Sequence, residues 1–153
     1  MLNTYRYDEQ NNSYEQISID GALTNPLRTS HDATNGEIVE KKVFLRNTDN
    51  TLYYTDITLT GRPARKTRVG DPNYPEASIG FKIIVQDEQP TENQWLAAQS
   101  GESVSMSDIG DSQEADTSFK AFWIQIEISP GSRPKVVTDI SLAIDAFSNP
   151  VGL

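Results

Sequence analysis

The chain has 153 residues, 36% of them hydrophobic and 8% aromatic, which is long enough for one domain to bury a core and too apolar for disorder throughout. It contains no cysteine, which excludes disulfides, zinc–thiolate sites and thiol nucleophiles. A net charge of −9 opposes DNA, RNA and anionic lipid as general partners.

No run approaches the roughly 20 apolar residues of a membrane span. The opening MLNTYRYDEQNN is polar and acidic, unlike a secretory signal. Without such a signal, the sequon Asn11-Asn12-Ser13 reads as a chance match. The missing thiols suit a reducing cytoplasm and equally a particle assembled there and released later.

In chain order, residues 1–35 read as an N-terminal arm. Tyr5 and Tyr7, then Ile17 and Ile19, are each spaced by two, which predicts two short strands around Asn11-Asn12. Gly21 to Gly36 holds Asn25-Pro26 and Asn35-Gly36 and reads as an irregular crossing loop. The body, residues 36–153, opens with GEIVEKKVFLRNTDNTLYYTDITLT. Val39, Val43 and Leu45 share one parity, and Tyr53, Ile57 and Leu59 share another, on either side of Asn47-Thr48-Asp49-Asn50. This period of two around a polar bend predicts a β-hairpin with one buried face.

Residues 61–77 carry three prolines and the basic cluster Arg62, Arg65, Lys66 and Arg68, as expected of a long surface loop. Ser78–Gln86 alternates Ile79, Phe81, Ile83 and Val85 and predicts a strand. Thr91 followed by Gln94 matches a capping box, so a short helical turn through Trp95 to Ala98 is expected, with an edge strand as the competing reading. Val104 and Met106 mark a brief strand, and Gly110–Ser118 an acidic turn. Phe119–Ser129 places Phe122, Ile124, Ile126 and Ile128 on one face and Trp123, Gln125 and Glu127 on the other. Pro134–Phe147 places Val136, Ile140, Leu142 and Ile144 inward.

The whole is one domain of seven to nine strands with at most one short helix. Many short strands with one-sided burial predict an all-β antiparallel sandwich, immunoglobulin-like or jelly-roll-like. No dinucleotide or phosphate-binding glycine motif is present.

Catalytic chemistry finds little support. His31 is the only histidine, beside Ser30 and Asp32. Triad members converge from separate elements, so these neighbours read as an ordinary loop. Asp108, Asp111, Glu114 and Asp116 offer carboxylates to a hard cation, but the spacing is not that of an EF-hand and a solvated acidic loop is the simpler reading. Pairs of carboxylates for glycoside hydrolysis have no specificity in a chain with 22 acids. Trp95, Trp123 and the tyrosines fit a sugar-binding face, or, for Trp123, packing under a loop or across an interface. Eight acids and no base lie between Lys82 and Lys120, so charge is segregated along the chain; the basic cluster offers a grip on phosphate, but against a net charge of −9 it reads more easily as a contact arm for acidic protein surface.

The stretches GEIVEKKVFLRNTDNTLYYTDITLT, TENQW, DIGDSQEADTSFKAFWIQIEISPGSRP and DISLAI together resemble small immunoglobulin-like β-sandwich proteins of tailed bacteriophage virions. The resemblance covers residues 36 to about 146. It lies in a charged first strand ending Leu-Arg-Asn, a Phe-Trp strand ending Pro-Gly and a closing Asp-Ile-x-Leu strand. The disulfide and buried tryptophan of antibody domains are not part of it. It implies a virion-located structural protein of capsid, neck, tail or baseplate, in many symmetric copies, with other virion proteins as partners. No catalytic residue, cofactor or metal is implied. The alternative expectation is a carbohydrate- or receptor-binding module.

Overall fold

The computed structural model describes residues 2–17, 27, 29–32, 34–62, 79–114, 118–128, 130 and 141–152. Among these residues eight strands form two antiparallel sheets: β1 (Leu2–Asp8), β2 (Ser13–Gln16), β3 (Glu37–Asn47), β4 (Leu52–Arg62), β5 (Ile79–Ile84), β6 (Ser103–Met106), β7 (Phe119–Ile128) and β8 (Ser141–Pro150). The larger sheet runs β2-β1-β3-β7-β5 and the smaller β6-β4-β8. The single helix among the described residues, α1 (Glu92–Ala97), is far too short to cross a membrane. The fold is thus the all-β sandwich that the alternation predicts.

The core lies between the sheets. Val43 and Leu45 of β3, Phe81 and Ile83 of β5, and Phe122, Ile124 and Ile126 of β7 face Ile57 and Leu59 of β4 and Met106 of β6. Val85, Leu142 and Ile144 pack at its margin, whereas Val136 and Ile140 lie outside the described residues. The arm is joined to the body: β1 pairs with β3 from Leu2 to Tyr5, and Leu2, Ile17 and Leu27 pack against the core.

Two expectations about residues 36–60 are corrected. The two strands there are no hairpin. β3 pairs with β1 and β7, while β4 pairs with β6 and β8, so the chain arches from one sheet to the other at residues 48–51. From β3 onward every successive strand changes sheet, and β1–β2 is the one hairpin among the described strands. The arch is held by Asn47, which is fully buried. Its Nδ2 donates to the carbonyls of Leu52 (2.7 Å) and Gly110 (2.9 Å), and its Oδ1 accepts from the Asp49 amide (2.9 Å). Alternation identifies a buried face, but a strand buried against a facing sheet has the same alternation as one paired alongside.

Tyr53 does not share the buried face of Ile57 and Leu59. A bulge between Thr55 and Thr58, with Asp56 at φ +50°, inserts one residue and shifts the phase. Tyr54 therefore turns toward the core and Tyr53 outward. Close packing across the sandwich also needs Gly61, where a Cβ would lie 2.0 Å from the Phe81 ring.

The capping box forms as expected. Thr91 Oγ1 accepts from the Gln94 amide at 3.3 Å, and Gln94 Oε1 accepts from the Thr91 amide at 2.9 Å. The helix leads into a segment that caps the outer edge of β5 at Phe81. There Phe81 N–H donates to Ser100 Oγ (2.8 Å) and its carbonyl accepts from Gly101 N–H (3.0 Å).

Candidate functional site

The outer face of the five-stranded sheet carries an aromatic cluster. The registers Phe44↔Tyr5, Phe44↔Ala121, Lys42↔Trp123 and Tyr7↔Tyr14 set these side chains on the solvent side, because Val43, Leu45 and Phe122 point to the core. Phe44 and Phe119 stack at 4.9 Å with planes 10° apart. Tyr14 meets both edge-on, at 5.0 Å and 4.7 Å, and Tyr7 meets Tyr14 at 5.1 Å. These spacings are those that ring quadrupoles favour. Phe44 is thereby buried on the outer face, while Tyr7 and Tyr14 stay 41% and 46% exposed.

Beside this cluster β1 and β2 diverge from β3 and leave a cleft of about 670 Å³, lined by Arg6, Tyr7, Tyr14, Lys42, Phe44 and Trp123. The Lys42 ammonium sits 5.3 Å from the Phe44 ring centre and 5.9 Å from that of Trp123, and pairs with Asp87 at 2.9 Å. The Trp123 indole N–H donates to the Asp87 carbonyl at 3.2 Å. Arg6 pairs with Glu15 at 3.1 Å. Trp123 is half-buried against the segment at Asp87, as the packing reading expects, and it also lines the cleft. Trp95 is different: it is buried within α1 and belongs to no sugar-binding face.

The acidic region forms a second depression of about 400 Å³, lined by Tyr53, Asp108, Asp111, Glu114 and Val151. The loop is more structural than solvated. Asp111 is buried, and its Oδ1 accepts from the Gln113 amide at 2.8 Å. Ile109 exchanges both backbone bonds with Tyr54. Among the described residues no group of three acids or histidines converges as a metal site. Asp116 lies outside the described residues.

Among the described residues His31 bonds locally, to Thr29 Oγ1 (2.9 Å) and toward the Glu37 carbonyl (3.4 Å). The Asp32 carboxylate closes its own turn, accepting from the Thr34 and Asn35 amides and from Asn35 Nδ2. Asp8 does the same for Gln10 and Asn11. The side-chain bond from the asparagine three residues on holds each carboxyl below its usual value of 3.8. This aspartate–asparagine spacing was the missed sequence signal for both turns.

Of the basic cluster, Arg62 contributes backbone to the end of β4, while Arg65, Lys66 and Arg68 lie outside the described residues. The aromatic outer face was missed because Tyr5, Tyr7, Tyr14, Phe44 and Phe119 are distributed over four strands, and only strand order brings them together. No protein-family model, curated protein or solved structure matches the chain.

Proposed function

We propose that the protein is a structural component of a tailed bacteriophage virion that acts through protein–protein contacts and carries out no catalysis. The observation that carries this reading is the aromatic outer face, with exposed Tyr7 and Tyr14 braced by stacked Phe44 and Phe119. Tyrosine, tryptophan and arginine are the residues that protein interfaces concentrate at their centres, where rigid rings lose little entropy on docking. The phage-like strand phrases of residues 36–146 supply the virion context. The partners are other virion proteins, and the basic segment from Arg62 to Arg68 is a second contact.

The test is mass spectrometry of purified particles from a host expressing the chain, with Tyr7→Ser combined with Lys41→Glu as the variant. Both positions line the cleft and are exposed. Wild-type chain should copurify with particles at fixed stoichiometry, and the variant should be depleted while keeping its β-type circular dichroism. Absence of the wild-type chain from particles would refute the reading.

The cleft beside Trp123 favours one other reading, a carbohydrate- or receptor-binding module, since an indole next to hydrogen-bonding side chains offers a sugar both an apolar ring and polar partners. Binding on a glycan array that disappears in Trp123→Ala would select it.

A further inference from the structure

An open sheet ends in two edges, and a sandwich of two sheets has to manage four. Three of the four are closed or short here. β2 and β6 have four residues each, and on the six-residue β5 the outward N–H and C=O of Phe81 are taken by Ser100 and Gly101. The fourth edge is β8, ten residues long, with β4 on one side and no described strand on the other. Its sequence SLAIDAFSNP contains a single charge, Asp145, and no lysine or arginine. Natural edges of this length are ordinarily blunted by lysine, proline or a bulge, because unpaired backbone groups recruit another strand. Asp145, Ala146, Phe147 and Ser148 are all exposed, and Phe147 is 68% accessible.

The direction of the free backbone groups follows from the ladder. Tyr54 exchanges its N–H and C=O with Ile109, so Tyr53 and Thr55 turn theirs toward β8. Their partners are Asn149 and Phe147, and Val151 N–H continues the series to the Thr51 carbonyl at 2.8 Å. The groups aimed away from β4 therefore belong to Ile144, Ala146 and Ser148.

From this we propose that β8 is a homodimerisation edge, at which two copies pair antiparallel about a two-fold axis through Phe147 and join the two small sheets into one continuous sheet. Self-complementarity selects a second copy as the occupant. With Phe147 opposite Phe147 of the partner subunit, Ala146 and Ser148 of each copy exchange both backbone bonds. The N–H of Ile144 reaches the carbonyl opposite it at position 150, where proline has no N–H to leave unpaired. Phe147 then falls on a non-hydrogen-bonded pair, the position at which facing side chains approach most closely. Asp145 lies across from an asparagine amide instead of a second carboxylate, so the one charge on the edge does not oppose itself. An isologous contact of this kind closes on itself and leaves no free β8 edge. It does not rest on the virion reading and stands or falls separately.

The experiment is light scattering coupled to gel filtration on the full chain. Wild type should run at twice the chain mass and Ala146→Pro at one chain mass. The Ala146 N–H points away from β4, so its loss leaves the monomer's own ladder intact and the melting profile should show a folded protein. Phe147→Cys tests the register and also decides the matter if the proline variant does not fold. The chain has no other cysteine, and facing Cα atoms about 4.5 Å apart lie within disulfide reach. Oxidation should link this variant into a covalent dimer. Asp145→Cys should stay unlinked, because residue 145 and its symmetry mate would be about 14 Å apart. A wild type that is monomeric at the highest concentration it tolerates, a multimer that Ala146→Pro leaves unchanged, or equal cross-linking of the two cysteine variants would each overturn the proposal.

Discussion

Asn47 ties together three chain segments through its side-chain and backbone amides. Its two donor bonds end on the carbonyls of Leu52 and Gly110, and its own backbone N–H reaches the Ser118 carbonyl at 2.8 Å. Replacing it with alanine strands those two carbonyls near the core. Asn47→Ala should cost about 2–6 kcal/mol, since each buried polar group left unsatisfied costs about 1–3. Urea unfolding measures this, and a loss below about 1 kcal/mol would show that water replaces the amide. The turn carboxylates give a second prediction at this scale. Asp8, Asp32 and Asp49 titrate below 3.8, held down first by side-chain bonds from Asn11, Asn35 and Thr51 respectively. A folded-state value below the unfolded one means stability that is complete above the unfolded value and lost as pH falls through the folded value. The urea midpoint should therefore hold down to about pH 4 and decline below it. The triple variant Asp8→Asn, Asp32→Asn, Asp49→Asn should decline less steeply, and an unchanged acid slope would exclude these turns. Tyr54 works in the opposite range: burial, then the charge of Asp49, raises it above 10.0, so its contribution is present below that pH and is lost above it.

Among the elements, the strands that run straight through the core were the most legible. In β7 the parity of Phe122, Ile124 and Ile126 alone gives the buried face, and in β5 that of Phe81 and Ile83 does the same. The helix was legible through its cap, because Thr91 and Gln94 act over three residues and need no distant partner. Strand partnership was not legible in β3 and β4. Asn47-Thr48-Asp49-Asn50 has hairpin composition, and what makes it an arch is the pairing of Asn47 with Gly110, 63 residues away. The β4 bulge was equally hidden, since Thr55-Asp56-Ile57 carries no glycine to mark it. Asp56 tolerates φ +50° better than most residues do, and a β-branched side chain would not. Asp56→Val should destabilise the protein by about 1–3 kcal/mol, whereas Asp56→Gly should be neutral within about 1 kcal/mol. Equal melting temperatures for the two variants would mean that the bulge relaxes instead of holding its strain. The outer aromatic face was invisible for the same reason as the arch, because Tyr14 touches Phe44 and Phe119 only once β1 has brought β2 alongside β3.

At the scale of the whole molecule, charge is segregated along the chain, and the contact proposed for the basic segment is distinct from the one proposed for the β8 edge. Asp87, Glu88, Glu92, Glu102, Asp108 and Glu114 are exposed, Asp87 pairing with Lys42, whereas Asp111 is buried. Against them stand Arg62, Arg65, Lys66 and Arg68 within seven residues of an otherwise acidic sequence. A basic segment on one copy meeting acids on another protein or another copy is a heterologous contact, which by itself builds rings or filaments. Combined with an isologous two-fold edge it builds closed or layered assemblies. Exposed charges steer association but are screened beyond about 8–10 Å at physiological ionic strength, so the contact should weaken with salt. Arg65→Glu with Lys66→Glu should therefore lower incorporation into particles, most strongly at low salt, while circular dichroism and melting stay those of the wild type. The β8 dimer, built from backbone bonds and Phe147, should survive both the substitution and the salt. Particles that take up the charge-reversed chain as fully as the wild type, at low and normal salt alike, would remove the basic segment from the assembly and leave the aromatic face and the β8 edge as its contacts.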